Sequence, residues 1–151
     1  MPKKPIKITL KPVTDERLFN SYLLNSAFAR IFGYNANPGN EQIRNNAASE
    51  ICQNRIEPLK IIHIFDTSNL KNGESGIVLT NRGIYVKDFA NSTTKFFALY
   101  SYISSVSTKS SGKTSVVILK MKNAAKHKIN IVSEEHNKLV QFLNFAKNMK
   151  S

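Results

Sequence analysis

Short polar connections follow Pro58, and they constrain the fold of this 151-residue chain more than any other feature. Apolar segments of strand length alternate there with turns such as "TNRG", "SSG" and "NAA". Parallel strands need crossover connections of about a dozen residues or more, usually helical, and these turns are too short for them. We therefore predict about six or seven antiparallel strands in a domain of the α+β class.

The predicted strands differ in how they turn. "LKIIHIF" indicates a mostly buried strand, and "GIVLT" and "GIYVKDF" indicate a hairpin in which Gly83 takes the positive φ of a three-residue loop with a bulge. "KFFALYSYISSVSTK" is long for one strand, so we expect a bend near Ser101 or two strands that meet at a corner. "TSVVILKMK" and "HKINIV" predict two more strands, with Ile129 and Ile131 facing inward.

Two helices are predicted before Pro58. Thr14 is a suitable N-cap for a helix that runs to about Phe32, and Gly33 follows where a left-handed residue ends many helices. Asn40 is a suitable N-cap for a second helix, which is expected to continue until Pro58 stops it.

A third helix is predicted at the C-terminal end, with Ser133 as its N-cap. Its apolar residues recur at helical spacing and define one face: Leu139, Phe142, Leu143, Ala146 and Met149. We expect this face to cover the sheet. Phe96 and Phe97 are adjacent in a predicted strand, so one of them must point away from the core, where either the N-terminal helices cover it or it belongs to a partner interface.

The chain is basic, with a formal net charge of +12. The residues up to Glu57 contribute +3 and the residues from Pro58 onward contribute +9, so the predicted sheet carries most of the charge. Such a charge attracts anionic partners, among them nucleic acids, acidic proteins and anionic lipid surfaces.

Lysines cluster in the last two predicted strands, in a segment from residue 109 to residue 128 that contains no acidic residue. The candidate anion-binding residues are Lys113, Lys120, Lys122, Lys126 and Lys128, with Lys71 and Arg82 as a second choice. On adjacent antiparallel strands these lysines can form one positive patch. A solvated outer face that guards the sheet edges against aggregation explains the same lysines equally well.

Other residues give no catalytic or metal site. Cys52 is the single cysteine and is expected to be a small buried residue, and His63 lies between isoleucines as a core or edge histidine does. Asp66 is expected to close a turn rather than to pair with Asp88 as two catalytic carboxylates would. "SSGKTS" is similar to the end of a phosphate-binding loop, but Ser107 stands where that loop needs glycine, so we predict no cofactor.

The order of elements from Leu59 to Ser151 resembles the pleckstrin-homology superfold, and the local sequence resembles its bacterial members. In the bacterial members, a strand that ends in Asp-Thr/Ser is followed by a polar loop that contains glycine. The motif "Gly-hydrophobic-hydrophobic-hydrophobic-Thr-Asp/Asn-Lys/Arg-Gly-hydrophobic-Tyr" comes next. Here residues 65–68 read "FDTS" and residues 76–85 read "GIVLTNRGIY". "FFALYSYISSV" is similar to the family's next strand, in which a Tyr-Ser-hydrophobic step precedes a bend.

The resemblance implies a sheet bent into a partial barrel or sandwich with the C-terminal helix beside it. It implies a pleckstrin-homology-like domain at residues 58–151 and an N-terminal helical extension at residues 1–57. Modules of this superfold generally bind proteins, peptides or lipid head groups, and few catalyse reactions. In lipid-binding members the basic residues lie on the first two strands and their loop, where this chain has Lys71.

We therefore expect a noncatalytic binding or adaptor protein that recognises a protein or an anionic surface. The alternative is a nucleic-acid-binding protein that uses the same lysines. No segment is long and apolar enough to span a membrane and no leader peptide is apparent at the start, so a cytoplasmic location is expected.

Overall fold

The structure is a computed structural model that describes residues 22–68, 70–87, 95–111 and 114–149. Helix α1 is described over residues 22–32. The remaining elements follow in the order α2 (Glu41–Glu50), β1 (Ile61–Asp66), β2 (Gly76–Thr80), β3 (Gly83–Lys87), β4 (Lys95–Leu99), β5 (Ile103–Ser111), β6 (Thr114–Met121), β7 (Lys126–Val132) and α3 (Ser133–Lys147). Short 3-10 helices precede β1 (Pro58–Lys60) and β5 (Tyr100–Tyr102).

The strands form two antiparallel sheets, with the orders β1-β2-β3-β4 and β5-β6-β7. Every pair of neighbouring strands is antiparallel, as the short connections predict. Within the described residues no strand ladder joins one sheet to the other, so the sheets are not closed into a barrel. The α+β class is confirmed.

The predicted corner near Ser101 is also confirmed. β4 ends at Leu99, and the 3-10 helix of three residues turns the chain into β5. Tyr100 anchors this corner on the β2–β3 turn, because its hydroxyl donates to the Thr80 carbonyl at 2.8 Å and its backbone N–H donates to the Arg82 carbonyl at 3.1 Å.

One core cluster joins both sheets to α1 and α3. The face predicted for α3 is confirmed, since Leu139, Phe142, Leu143 and Ala146 are buried in this cluster and Met149 packs against it. Helix α1 contributes Leu24, Phe28 and Phe32, which are buried beside residues of both sheets. The aromatic rings of α1 and α3 meet directly, with 5.9 Å between the ring centroids of Phe28 and Phe142.

A second cluster covers the other face of the first sheet. Helix α2 and the turn after it bury Ala47, Ala48, Ile51 and Cys52 against Ile61, Val78 and Tyr85 of that sheet. Phe97 packs against this cluster and stacks on Tyr85 at 4.1 Å, whereas Phe96 points to the opposite side and stacks on His127 of β7 at 4.3 Å. The N-terminal helices therefore pack on the sheets, and α2 covers the side of the first sheet to which Phe97 points, which decides between the two alternatives left by the sequence.

Two details of the predicted turns and helix ends are wrong. α2 ends at Glu50 rather than near Pro58, because Gln53 and Asn54 adopt left-handed backbone conformations with φ of 56° and 60°. Gly83 does not have a positive φ, and the β2–β3 connection is the two-residue turn of Asn81 and Arg82. There the Thr80 hydroxyl accepts hydrogen bonds from the backbone N–H groups of both residues after Asn81, at 3.2 and 3.1 Å.

The helix caps that the structure describes agree with the sequence. Asn40 accepts a hydrogen bond from the Ile43 N–H at 2.9 Å, and Gly33 follows α1 with a φ of 82°. Thr14, the predicted N-cap of the first helix, lies outside the described residues.

Candidate anion-binding face

The β5–β6–β7 sheet has one face against the core and one face toward solvent. Along β6 the side chains of Val117, Leu119 and Met121 are buried, so the residues between them point outward. Along β7 Ile129 is buried, while Lys126 and Lys128 are exposed. Because successive side chains of a strand point to opposite faces of the sheet, the lysines of both strands lie on the solvent side.

The strand register brings these lysines together. Lys120 lies directly opposite Lys126, and Ile118 lies opposite Lys128. On the other side of β6, Lys109 lies opposite Val116, and Ser105 lies opposite Lys120. Neighbouring strands are about 5 Å apart and successive outward rows about 7 Å apart, so the lysine side chains share one surface. We call the four lysines Lys109, Lys120, Lys126 and Lys128 the basic face.

The charge of the basic face is not compensated by acidic side chains in the described part of the chain. All four lysines are exposed, and none of them forms an ion pair with a described residue. The ion pair that the described residues do form joins Lys87 to Glu50 at 3.2 Å and lies between β3 and α2. Cations held this close on adjacent strands repel one another, and an anion placed between them would reduce that repulsion.

Lys122 extends the basic face at the end where Lys120 and Lys126 lie. It occupies the β6–β7 turn and is exposed, and its backbone N–H donates to the Tyr102 carbonyl at 3.0 Å. Arg82 reaches the same corner from the other sheet, since its carbonyl accepts the Tyr100 N–H. Arg82, a second-choice residue, therefore shares this corner with Lys122, a first-choice residue, through backbone hydrogen bonds, while its positive charge acts on Tyr85 of the first sheet.

The second-choice pair is not brought together. Lys71 lies in the β1–β2 loop and Arg82 in the β2–β3 turn, so strand β2 separates them end to end. The Lys71 ammonium donates to the Asp66 carbonyl at 3.1 Å, which ties it to its own loop. Lys113 lies outside the described residues.

Asp66 closes the β1–β2 loop, as predicted. Its Oδ1 accepts hydrogen bonds from the Ser68 N–H at 3.0 Å and from the Ser68 hydroxyl at 2.6 Å. Its Oδ2 accepts the Gly73 N–H at 2.9 Å. Both carboxylate oxygens of Asp66 are therefore used in hydrogen bonds that hold the two ends of the loop. Asp88, with which Asp66 was compared as a carboxylate pair, lies outside the described residues.

Two buried titratable groups have structural positions. His63 is 7% exposed, and its Nδ1 accepts the Asn37 N–H at 2.9 Å. Burial lowers the pKa of His63 to about 4, so the ring is neutral near pH 7. Burial likewise raises the pKa of the Cys52 thiol to about 12, which suppresses the reactive thiolate. Both residues are buried as the sequence predicts.

The described residues contain no group of three or more His, Cys, Asp or Glu side chains placed to hold a metal ion. A cleft of about 460 Å³ lies between the end of α2 and the first 3-10 helix, and its lining includes Asn54, Arg55 and Glu57. It contains none of the candidate residues predicted from the sequence.

Two exposed residues on the same side of the sheet, Tyr102 and Lys109, are not among the candidates predicted from the sequence. Lys109 is detectable from the alternation along β5, because its position shares the outward face with Ser105 and Ser107. The exposure of Tyr102 could not be predicted from the sequence, because it depends on the 3-10 helix at the corner. In the sequence, Tyr102 resembles the packing aromatics around it.

In the described ranges, no helix has the combination of length and apolar character that crossing a bilayer requires. Comparison of the chain with protein-family models, with curated protein sequences and with solved structures found no match.

Proposed function

We propose that this protein is a noncatalytic binding or adaptor module with a pleckstrin-homology-like fold, and that its basic face binds an anionic partner. The order of elements supports the fold assignment, since seven antiparallel strands followed by an amphipathic C-terminal helix match what the sequence resemblance implies. The 3-10 corner between β4 and β5 also lies in the segment that resembles the family's bent strand.

The basic face is the observation that carries the functional proposal. Three of its lysines were predicted from sequence, and the β6–β7 register places Lys120 beside Lys126 with Lys128 one outward row away. Solubility alone requires no such register, whereas a binding surface requires cations at fixed spacing on a rigid scaffold.

Four polar or titratable side chains of the described residues support a noncatalytic role. Asp66 and Thr80 form hydrogen bonds that close turns, and His63 and Cys52 are held neutral by burial. A catalytic acid, base or nucleophile needs an accessible reacting atom and a pKa matched to its task, and these four side chains lack that combination.

The test compares two variants with equal loss of charge. One carries Lys120→Gln, Lys126→Gln and Lys128→Gln on the basic face. The control carries three lysine-to-glutamine changes elsewhere, at Lys95, Lys138 and Lys147. Binding is measured by fluorescence polarisation and vesicle co-sedimentation across a salt series, with polyglutamate, oligonucleotides, and anionic and neutral vesicles as probes.

We expect the wild type and the control to bind at least one anionic probe with an affinity that falls steeply with salt. The basic-face variant is expected to bind that probe at least tenfold more weakly and with a smaller salt slope, because each lost cation releases about one counterion fewer. Equal losses in both variants would show that net charge alone attracts the probe, and the proposed site would then be wrong.

A further inference from the structure

An exposed aromatic ring lies at the end of the basic face. Tyr102 is 43% exposed, and it stands at the corner between the two sheets. Leu99, at 36% exposure, lies three residues before it on the same corner. The other tyrosine of this corner, Tyr100, is buried and hydrogen-bonded, so the two tyrosines differ in role.

Two basic residues are joined by their backbones to the corner that carries this ring. The Tyr102 carbonyl accepts the Lys122 N–H at 3.0 Å, and the Tyr100 N–H donates to the Arg82 carbonyl at 3.1 Å, so both cationic residues are joined to the same three-residue helix. Both side chains are exposed. The corner therefore carries an exposed aromatic ring and is bonded to the backbones of two exposed basic residues.

The corner is continuous with the basic face. Ile103 lies opposite Met121, and both side chains are buried, while the residues that flank this pair, Tyr102 and Lys122, are exposed. The next outward row of the sheet contains Lys120 and Lys126. A strand pair of this kind advances about 7 Å per outward row, so an extended ligand can contact the ring and the lysines together.

We infer that the anionic partner is a single-stranded nucleic acid, with an unpaired base stacked on Tyr102 and its phosphates on Lys120, Lys126 and Lys128. This inference rests on the proposed function and specifies the ligand class. Single-strand binding surfaces combine a positively charged path for the backbone with aromatic rings on which bases stack. Lys122, whose backbone N–H is bonded to the Tyr102 carbonyl, is the residue that we expect to contact the phosphate next to the stacked base.

Other anionic partners do not use all of these features. A duplex keeps its bases stacked on one another, so its phosphates reach the lysines but no base reaches Tyr102. An acidic polypeptide supplies carboxylates without the large π-faces of nucleobases. The tyrosine therefore distinguishes a single strand from a duplex or an acidic protein, while the lysines attract all of them.

The experiment uses the full chain with labelled oligothymidylate of about 12 nucleotides, a length that spans one single-strand site, a duplex of the same length and polyglutamate. Tyr102→Leu removes the aromatic ring, and Tyr102→Phe is the matched control that keeps the ring and removes the hydroxyl. Tyr102→Leu is expected to bind the single strand about tenfold more weakly than the wild type, and Tyr102→Phe within about twofold of it. Duplex binding is expected to be unchanged in both variants.

The two proposals fail in different ways. If Tyr102→Leu binds the single strand as the wild type does, or if only polyglutamate or vesicles bind to the basic face, the nucleic-acid inference is overturned while the proposed function stands. If no anionic probe binds in a manner that depends on the basic face, both are overturned. Circular dichroism of each variant confirms that a loss of binding is not a loss of folding.

Discussion

His63 shows how the surroundings of one side chain determine its charge. The ring centroids of Phe28 and Phe65 lie 4.4 and 4.5 Å from that of His63, and the Asn37 N–H occupies its Nδ1. A protonated ring would lose that acceptor and would carry a charge in an apolar environment. The folded protein therefore opposes protonation of His63 much more strongly than the unfolded chain does.

This difference predicts acid sensitivity. The pKa of His63 is about 4 in the folded protein and about 6.5 in the unfolded chain, so the unfolded chain binds the proton first as the pH falls. The stabilisation is complete above about pH 6.5 and is lost as the pH falls from about 6.5 to about 4. We expect the free energy of unfolding of the wild type, measured with urea, to be lower at about pH 4.5 than at about pH 7 by roughly 2 to 3 kcal/mol because of His63. His63→Gln should lack this contribution.

His63→Gln keeps an acceptor for the Asn37 N–H but does not titrate, so carboxylate titrations common to both proteins cancel in the comparison. Burial also lowers the pKa of His127, so His127 likewise reduces the stability of the folded protein as the pH falls. This contribution is common to the wild type and His63→Gln and cancels in the comparison. Equal pH dependence in the two proteins would contradict the role given to His63.

Among the elements, α2 is positioned by the β1–β2 loop. The Asn46 side chain donates from Nδ2 to the Asn72 carbonyl at 2.8 Å, and Gly73 lies so close to α2 that a Cβ there would be 2.6 Å from the Ile43 carbonyl oxygen. Gly73 also has a φ of 83°. The loop and the helix therefore share one tight contact that only glycine permits.

Gly73→Ala is expected to destabilise the protein more than Gly33→Ala. Gly33 has nearly the same φ, 82°, but no atom lies within 4 Å of the position that an alanine methyl group would take there, so its change tests backbone strain alone. We expect a loss of about 1 kcal/mol for Gly33→Ala, and for Gly73→Ala at least about 1 kcal/mol more because the loop must move away from α2. Urea unfolding measures both losses, and faster reaction of Cys52 with a thiol reagent would report loosening of α2. Equal losses would show that the contact with α2 has no energetic weight.

Most elements were predictable because they depend on local patterns. The short apolar runs in residues 61–66 and 76–80, the alternation in residues 126–132 and the helical spacing from Leu139 to Ala146 indicate each element without reference to the others. The position of Lys120 beside Lys126 was predictable for the same reason, since a short turn between two alternating strands determines the register.

What could not be predicted depends on contacts between distant segments. Gly83 was expected to need a positive φ, but a Cβ there would lie 2.3 Å from the Ala98 carbonyl oxygen, so glycine is required by the approach of β4 and not by the turn. The two backbone hydrogen bonds that join Arg82 and Lys122 to the 3-10 corner likewise link distant segments, and no periodicity reveals them.

At the scale of the whole molecule, the two sheets share their largest buried cluster with α1 and α3. Phe142 is fully buried in it, and its ring lies near those of Phe28, Phe32 and Tyr100. The stacked rings of Phe96 and His127 form another contact between the sheets. We therefore expect the sheets to lose their structure together.

Phe142→Ala is expected to lower the free energy of unfolding by about 3 to 5 kcal/mol, and Phe142→Leu by a smaller amount, because the cavity is smaller. Far-ultraviolet circular dichroism and tyrosine fluorescence are expected to give the same unfolding midpoint in each protein. Separate midpoints for the two signals would mean that the sheets unfold independently and that the shared cluster does not couple them.

The contact between Asn37 and β1 has a consequence for association between copies of the chain. β1 is an edge strand, and an apolar edge with free backbone groups is a template for strand addition and aggregation. Asn37 occupies part of that edge, because its N–H donates to His63 and its carbonyl accepts the Ile64 N–H at 3.3 Å. The segment before Pro58 therefore protects the first sheet from pairing with another molecule, and a shortened chain that begins at Pro58 would present an open edge to its own copies.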